Sequence, residues 1–176
     1  GNYYANRGDL KQAISSYDTA LKLEPRAMLA MVNESMVYAQ MGESAKAEES
    51  LRKALKIAPD NAAANFNMGL LKGEQNDMKG AEKYLKAALK ADPRMAQAAY
   101  NLCVILSKDR LEEALGFCRK ACDLRPDNPR YAYTLAFYLS QHGDTFEAIR
   151  MLKTITQNNP ADADAAQLLK QLSGGE

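Results

Sequence analysis

Between residues 44 and 58 the chain reads SAKAEESLRKALKIA, with apolar side chains at Ala47, Leu51, Ala54 and Leu55. That spacing puts them on one face of an α-helix and leaves Lys, Glu and Arg on the other. The stretch stops at Pro59, whose ring and missing N–H cannot continue the hydrogen-bond ladder. The next stretch, DNAAANFNMGLLKGEQ (60–75), opens on Asp and Asn, side chains that cap exposed helix amides. Asp127-Asn128-Pro129 repeats the signal, with proline at the first helical turn. Alternating runs rich in β-branched residues, the mark of strands, are absent. The pattern predicts an all-α protein.

The elements recur. Pro25, Pro59, Pro93, Pro126 and Pro160 are spaced 34, 34, 33 and 34 residues apart. Twelve residues before each stands Ala13, Ala47, Ala81, Ala114 or Ala148, and five before stands Ala20, Ala54, Ala88 or Ala121, with Ile155 breaking the series. A fixed period of this length marks a repeat architecture in which each unit is one helix pair. The turns inside the pairs are Gly8-Asp9, Gly42, Asn76-Asp77 and Gly143-Asp144. Ser35, Gly69, Cys103 and Ala136 take equivalent places on the first helices, facing the alanine pairs, so the two helix axes approach closely. Tyr17, Leu51, Leu85 and Leu152 fill the gaps one turn along.

These residues resemble the tetratricopeptide repeat (TPR) family, whose pattern joins such small residues to a late proline, and the resemblance spans essentially the whole chain. It implies an all-α right-handed superhelix of antiparallel helix pairs, an α-α solenoid in which each unit's first helix lines a concave face. The units are expected at 1–25 (a partial first repeat, mostly its second helix), 26–59, 60–93, 94–126 and 127–160, closed by a capping helix at 161–172. Only NYYAN of the opening helix is present, so the chain is expected to be a piece of a longer protein. Two departures stand out. The fourth unit is a residue short, with Lys108-Asp109-Arg110 in place of a Gly turn, and Glu34 stands where an apolar residue is expected.

In this register the first helices present Val32 and Met36, Phe66 and Leu70, Tyr100 and Val104, then Tyr133 and Phe137. Each pair is spaced i, i+4 and so shares a face. Any one of these side chains can pack sideways against the neighbouring first helix, but a contiguous apolar stripe rarely stays exposed without use. Beside it run Asn33, Asn67 and Asn101, again 34 apart, with Thr134 breaking the series. An amide offers both a donor and an acceptor, which suits a peptide backbone, although the same amides can bond their own helices. The series resembles the asparagine ladders of armadillo repeats and of the TPR region of O-GlcNAc transferase. TPR members that grip the acidic C-terminal tails of chaperones use Lys and Asn on successive first helices, at the places matching this stripe, to clamp the terminal carboxylate. None of the residues here is charged, which implies an apolar or aromatic partner segment.

Charge does not redirect this reading. The 176 residues hold 23 basic and 22 acidic side chains, interspersed, so nucleic-acid binding is disfavoured. No apolar run is long enough to span a bilayer. Nothing matches a phosphate-binding loop, a zinc-protease helix, a CxxC pair, a CxxCH haem site or a GxSxG elbow. The lone His142 has no second histidine and is expected to meet the carbonyls at a helix end. Cys103, Cys118 and Cys122 fall together in the fourth unit and are read as buried free thiols used for packing, in preference to a metal site or a disulfide. No catalysis, metal or cofactor is expected. The leading function is a scaffold for a protein or peptide ligand. The alternatives are a homo-oligomerisation module, or an accessory domain of a larger enzyme or multihaem redox protein, since residues 128–155 resemble TPR tails of multihaem cytochromes. The compartment stays open, cytoplasmic by default and periplasmic if a signal precedes.

Overall fold

The computed structural model describes residues 1–174, and these form eleven α-helices and no strand. They divide into two compact units. The first, Gly1–Pro93, holds α1 (Asn2–Asn6), α2 (Leu10–Leu23), α3 (Met28–Gln40), α4 (Ser44–Ile57), α5 (Ala62–Glu74) and α6 (Met78–Ala91). The second, beginning at Arg94, holds α7 (Ala96–Leu106), α8 (Leu111–Leu124), α9 (Pro129–His142), α10 (Thr145–Asn158) and α11 (Ala163–Leu172). Within each unit successive helices pack on one another across short turns and are therefore antiparallel.

Local chemistry sets the boundaries. The side chains of Asp9, Asn61, Asp77, Asn128 and Asp162 accept the amides of Gln12, Ala64, Gly80, Tyr131 and Ala165, each capping a helix start. Four of the turns within pairs contain a residue in the left-handed region, Gly8, Gly42, Asn76 and Gly143. At Gly42 the geometry is a Schellman cap: its N–H donates to Ala39 O at 2.9 Å, and Glu43 N–H to Tyr38 O at 2.8 Å. Asn76, at φ 60°, does the same work with the side chain that best tolerates this region after glycine. The α7–α8 turn has no such residue. There α7 runs for 11 residues against 13 for α3 and α5, and Arg110, the N-cap of α8, makes no side-chain cap hydrogen bond.

The core follows the small residues. Ala13, Ala81, Ala88, Ala114, Ala121 and Ala148 have no exposed surface. A Cβ built on Gly69 would lie 2.7 Å from Leu85 Cγ, so α5 and α6 approach as closely as side chains allow. In the first unit Val32, Leu51, Met68 and Leu71 form one cluster. In the second unit α11 sets Ala165, Leu168, Leu169 and Leu172 against Ala136, Leu152 and Ile155. Glu34 is buried at 6% exposure, with Ser50 Oγ donating to its carboxylate at 2.6 Å. The position expected to be apolar is thus filled by a hydrogen-bonded pair. Burial pushes the Glu34 carboxyl above its usual range, against the lowering effect of Ser50.

The cysteines differ from expectation. Cys103 and Cys118 are joined as a disulfide, and Cys122 is unbonded. The physical reason lies in the packing: Cys103 occupies the small-residue place on α7 and Cys118 the facing gap on α8, with their Cα atoms 5.1 Å apart.

Candidate functional site

In the first unit, α1, α2 and α3 enclose a recess of about 380 Å³ lined by Asn2, Asn6, Tyr17, Asn33 and Met36, among others. The Asn2 side-chain Oδ1 accepts from the Tyr17 hydroxyl and, at 3.0 Å, from Asn33 Nδ2. A second recess, of about 190 Å³, opens between α3 and α5. It brings Met36, Asn67 and Leu70 together over a floor made by Ser35, Ala47 and Leu51. Met36 lines both recesses and is 55% exposed, a large apolar side chain on the ridge between them. Phe66 is half-buried and lines neither recess. Val32 departs from the expected stripe: it is 4% exposed and packs in the core, against which Leu21 and Met28 also lie. It is therefore a packing residue, and Met36, one turn on, is the side chain that reaches the surface.

In the second unit the stripe is partly committed. The Tyr100 ring stacks on Tyr131 with centroids 4.6 Å apart. The Arg130 guanidinium sits over the ring, and its Nε donates to the Tyr100 hydroxyl at 2.9 Å. The same hydroxyl lies 3.4 Å from Thr134 Oγ1. Tyr100 thus packs sideways from α7 onto α9. Asn101 donates to Gln97 O of its own helix at 2.8 Å, which uses one of its amide hydrogens and leaves its carbonyl available. Val104 is 40% exposed. Tyr133 and Phe137 lie parallel on α9 with centroids 6.4 Å apart, half-buried, and Tyr133 also touches the α11 cluster. Burial, then Asp164 and Asp162, lift the Tyr133 hydroxyl above the usual phenol range.

One recess was not anticipated. At the foot of α9 and α10 a cavity of about 460 Å³ is lined by Pro126, Pro129, Ala132, Met151 and Ile155, with Arg150 and Asn158 at its edge. Its sequence signal is Ala132, which stands where the second repeat buries Met31. His142 meets the Asp144 carboxylate at 2.9 Å, in place of the helix-end carbonyls expected for it. Among the described residues no cluster of His, Cys, Asp or Glu is arranged to hold a metal ion, and no helix is long and apolar enough to cross a membrane.

The family model described as Tetratricopeptide repeat matches residues 1–62 and 66–129, and a second of the same description matches 106–172. A cytochrome c-type biogenesis protein, CycH of Rhizobium meliloti (strain 1021), is 39% identical over 59 residues. That match takes in 34% of this chain and spans only 16% of the length of CycH. Among solved structures, pilF of Pseudomonas aeruginosa superposes with a TM-score of 0.87 at 24% identity, over 99% of this chain and 82% of that one. MamA gives 0.80 at 22% identity, over 93% and 96%. YrrB, described as a TPR protein with an unusual peptide-binding site, gives 0.77 at 22%, over 96% and 88%. At these identities the likeness to the solved structures is one of fold.

Proposed function

Because the chain belongs to the tetratricopeptide repeat family, we propose that it is a protein-interaction scaffold whose first helices bind a peptide or helix of a partner. The observation that carries this reading is the recess between α3 and α5, where Met36, Asn67 and Leu70 come together with a large apolar side chain left in solvent. Met36 and Leu70 supply apolar contact, and Asn67 supplies an amide for a peptide backbone. In the second unit Val104, Tyr133 and Phe137 offer the matching apolar surface, and Tyr100 serves chiefly to hold α7 on α9. Peptide binding by YrrB, a neighbour in fold, supports the same use. The partner segment is uncharged and rich in apolar or aromatic side chains. No catalysis is assigned to these residues.

A displayed library of random peptides panned on the chain tests this. Enriched sequences should be apolar or aromatic, and adding one should shift the amide resonances of Met36, Asn67, Leu70 and Phe137. Shifts confined to the opposite helices would remove the first-helix faces from consideration. A second reading, an accessory module within a larger protein, draws support from the CycH match, in which the similar segment is a small part of the whole. Docking of a second copy on the same faces would appear as a mass that rises with concentration.

A further inference from the structure

In the pairs α3–α4, α5–α6 and α9–α10 a small residue on the first helix, Ser35, Gly69 or Ala136, meets a leucine on the second, Leu51, Leu85 or Leu152. Gly69 and Leu85 show how close: a Cβ on the glycine would lie 2.7 Å from Leu85 Cγ. In the pair α7–α8 both places are cysteine, with Cα atoms 5.1 Å apart, inside the range a disulfide spans without backbone movement. The packing that elsewhere selects Gly, Ser or Ala against Leu therefore presents two sulfurs to each other at bonding range. Both side chains are sealed, at 0% and 2% exposure, among Leu115, Leu135, Leu139 and Ala148. Among the described residues, the pair that carries the bridge is also the one whose turn lacks a left-handed residue.

We infer that the Cys103–Cys118 bridge is a structural cross-link introduced by thiol–disulfide exchange, and that the chain folds and acts in an oxidising compartment. The chemistry balances with a disulfide-bearing donor as oxidant. One cysteine thiolate attacks a donor sulfur and expels a donor thiol. The second cysteine then attacks the mixed disulfide and expels the other, so that the donor carries away two electrons and two protons as two thiols. A thiol-reducing cytosol runs this exchange backwards. Burial protects the finished bridge, because a reducing thiol must reach a sulfur that the α7–α8 core covers. Cys122, one helical turn from Cys118, is the nearest internal nucleophile, but burial and then Asp123 push its thiol up to about 11 and keep it protonated. The bridge therefore does not shuffle to its neighbour.

Counting free thiols tests the inference. The 176-residue chain is produced with and without an export leader, quenched in acid, denatured and alkylated with iodoacetamide, and its intact mass is measured. The exported chain should take one adduct, mapped by peptide digestion to Cys122, and the chain retained in the cytosol should take three. Three adducts on the exported chain would overturn the bridge. One adduct on both would overturn the compartment inference while leaving the bridge standing. An exported Cys122→Ser chain should take none, and two adducts on it would overturn the pairing. None of these outcomes depends on whether the first-helix faces bind a peptide.

Discussion

Lys72 of α5 places its ammonium 2.9 Å from the Glu48 carboxylate of α4, joining consecutive helix pairs through a contact with both side chains under one-fifth exposed. Arg52 and Gln75 donate to the same carboxylate, at 2.6 Å and 3.3 Å. Lys72 first, then Arg52, hold the Glu48 carboxyl down to about 2.

Glu48→Gln should therefore lower stability by about 1 kcal/mol at neutral pH, well below what the shift alone implies, because solvent screens a surface pair. A depressed folded value means that the contribution is present above the unfolded value of about 4.5 and is lost as pH falls toward about 2. Melting curves of both chains across this range should converge on the acid side. A constant gap would show that the carboxylate's charge is not what matters.

Glu34 carries the opposite sign. Its folded value is raised, so the folded state holds the proton more tightly. Its contribution is full below the unfolded value and is lost as pH rises through the folded one. Glu34→Gln keeps an acceptor for Ser50 and removes the buried charge. The variant should melt roughly 2–4 °C above the wild type near pH 8, with the gap closing toward pH 4. A variant less stable than the wild type at every pH would contradict this account.

Ala81 has no exposed surface on the inner face of α6, and its Cβ lies 3.9 Å from the position a Cβ would take on Gly73 of α5. Ala81→Phe should destabilise by roughly 1–3 kcal/mol through overpacking. Denaturant unfolding measures it, and an unchanged midpoint would mean that the α5–α6 contact yields more readily than its geometry implies.

On the candidate faces, stability and binding should separate. Met36→Ala removes a side chain that is mostly in solvent, so folding should change by less than about 0.5 kcal/mol. Affinity for a selected peptide should fall on the order of tenfold. Tyr100→Ala should instead cost stability, since the ring stacks on Tyr131 and carries Arg130. Tyr100→Phe, which retains the ring, should restore most of it. Calorimetric titration beside thermal melts distinguishes the two roles, and Met36→Ala with unchanged affinity would take the α3–α5 recess out of the binding surface.

Much of this was legible along the chain because it is local. The proline period, the caps at Asn61 and Asn128 and the left-handed turns at Gly8, Gly42 and Gly143 depend on residues a few positions apart, as does the amphipathic spacing of α4. Helical periodicity also placed Met36, Asn67 and Leu70 on equivalent faces, and the tertiary structure set them around one recess. It did not separate Val32 from Met36. The two share a face, and burial of the first depends on side chains of other elements, such as Leu21 of α2. Nor did it show that Tyr100 would lean onto α9, where Arg130 and Thr134 hold its hydroxyl.

By itself, then, the sequence determined which residues form helices, where each helix stops and how often the pair recurs, since backbone sterics and side-chain period act within a turn or two of chain. The tertiary structure alone decided which side of a helix stays wet, that Glu34 would be sealed against Ser50, and that Cys103 and Cys118 would meet at bonding range. Those outcomes depend on distances between helices, which close packing of every neighbour sets together and no local stretch encodes.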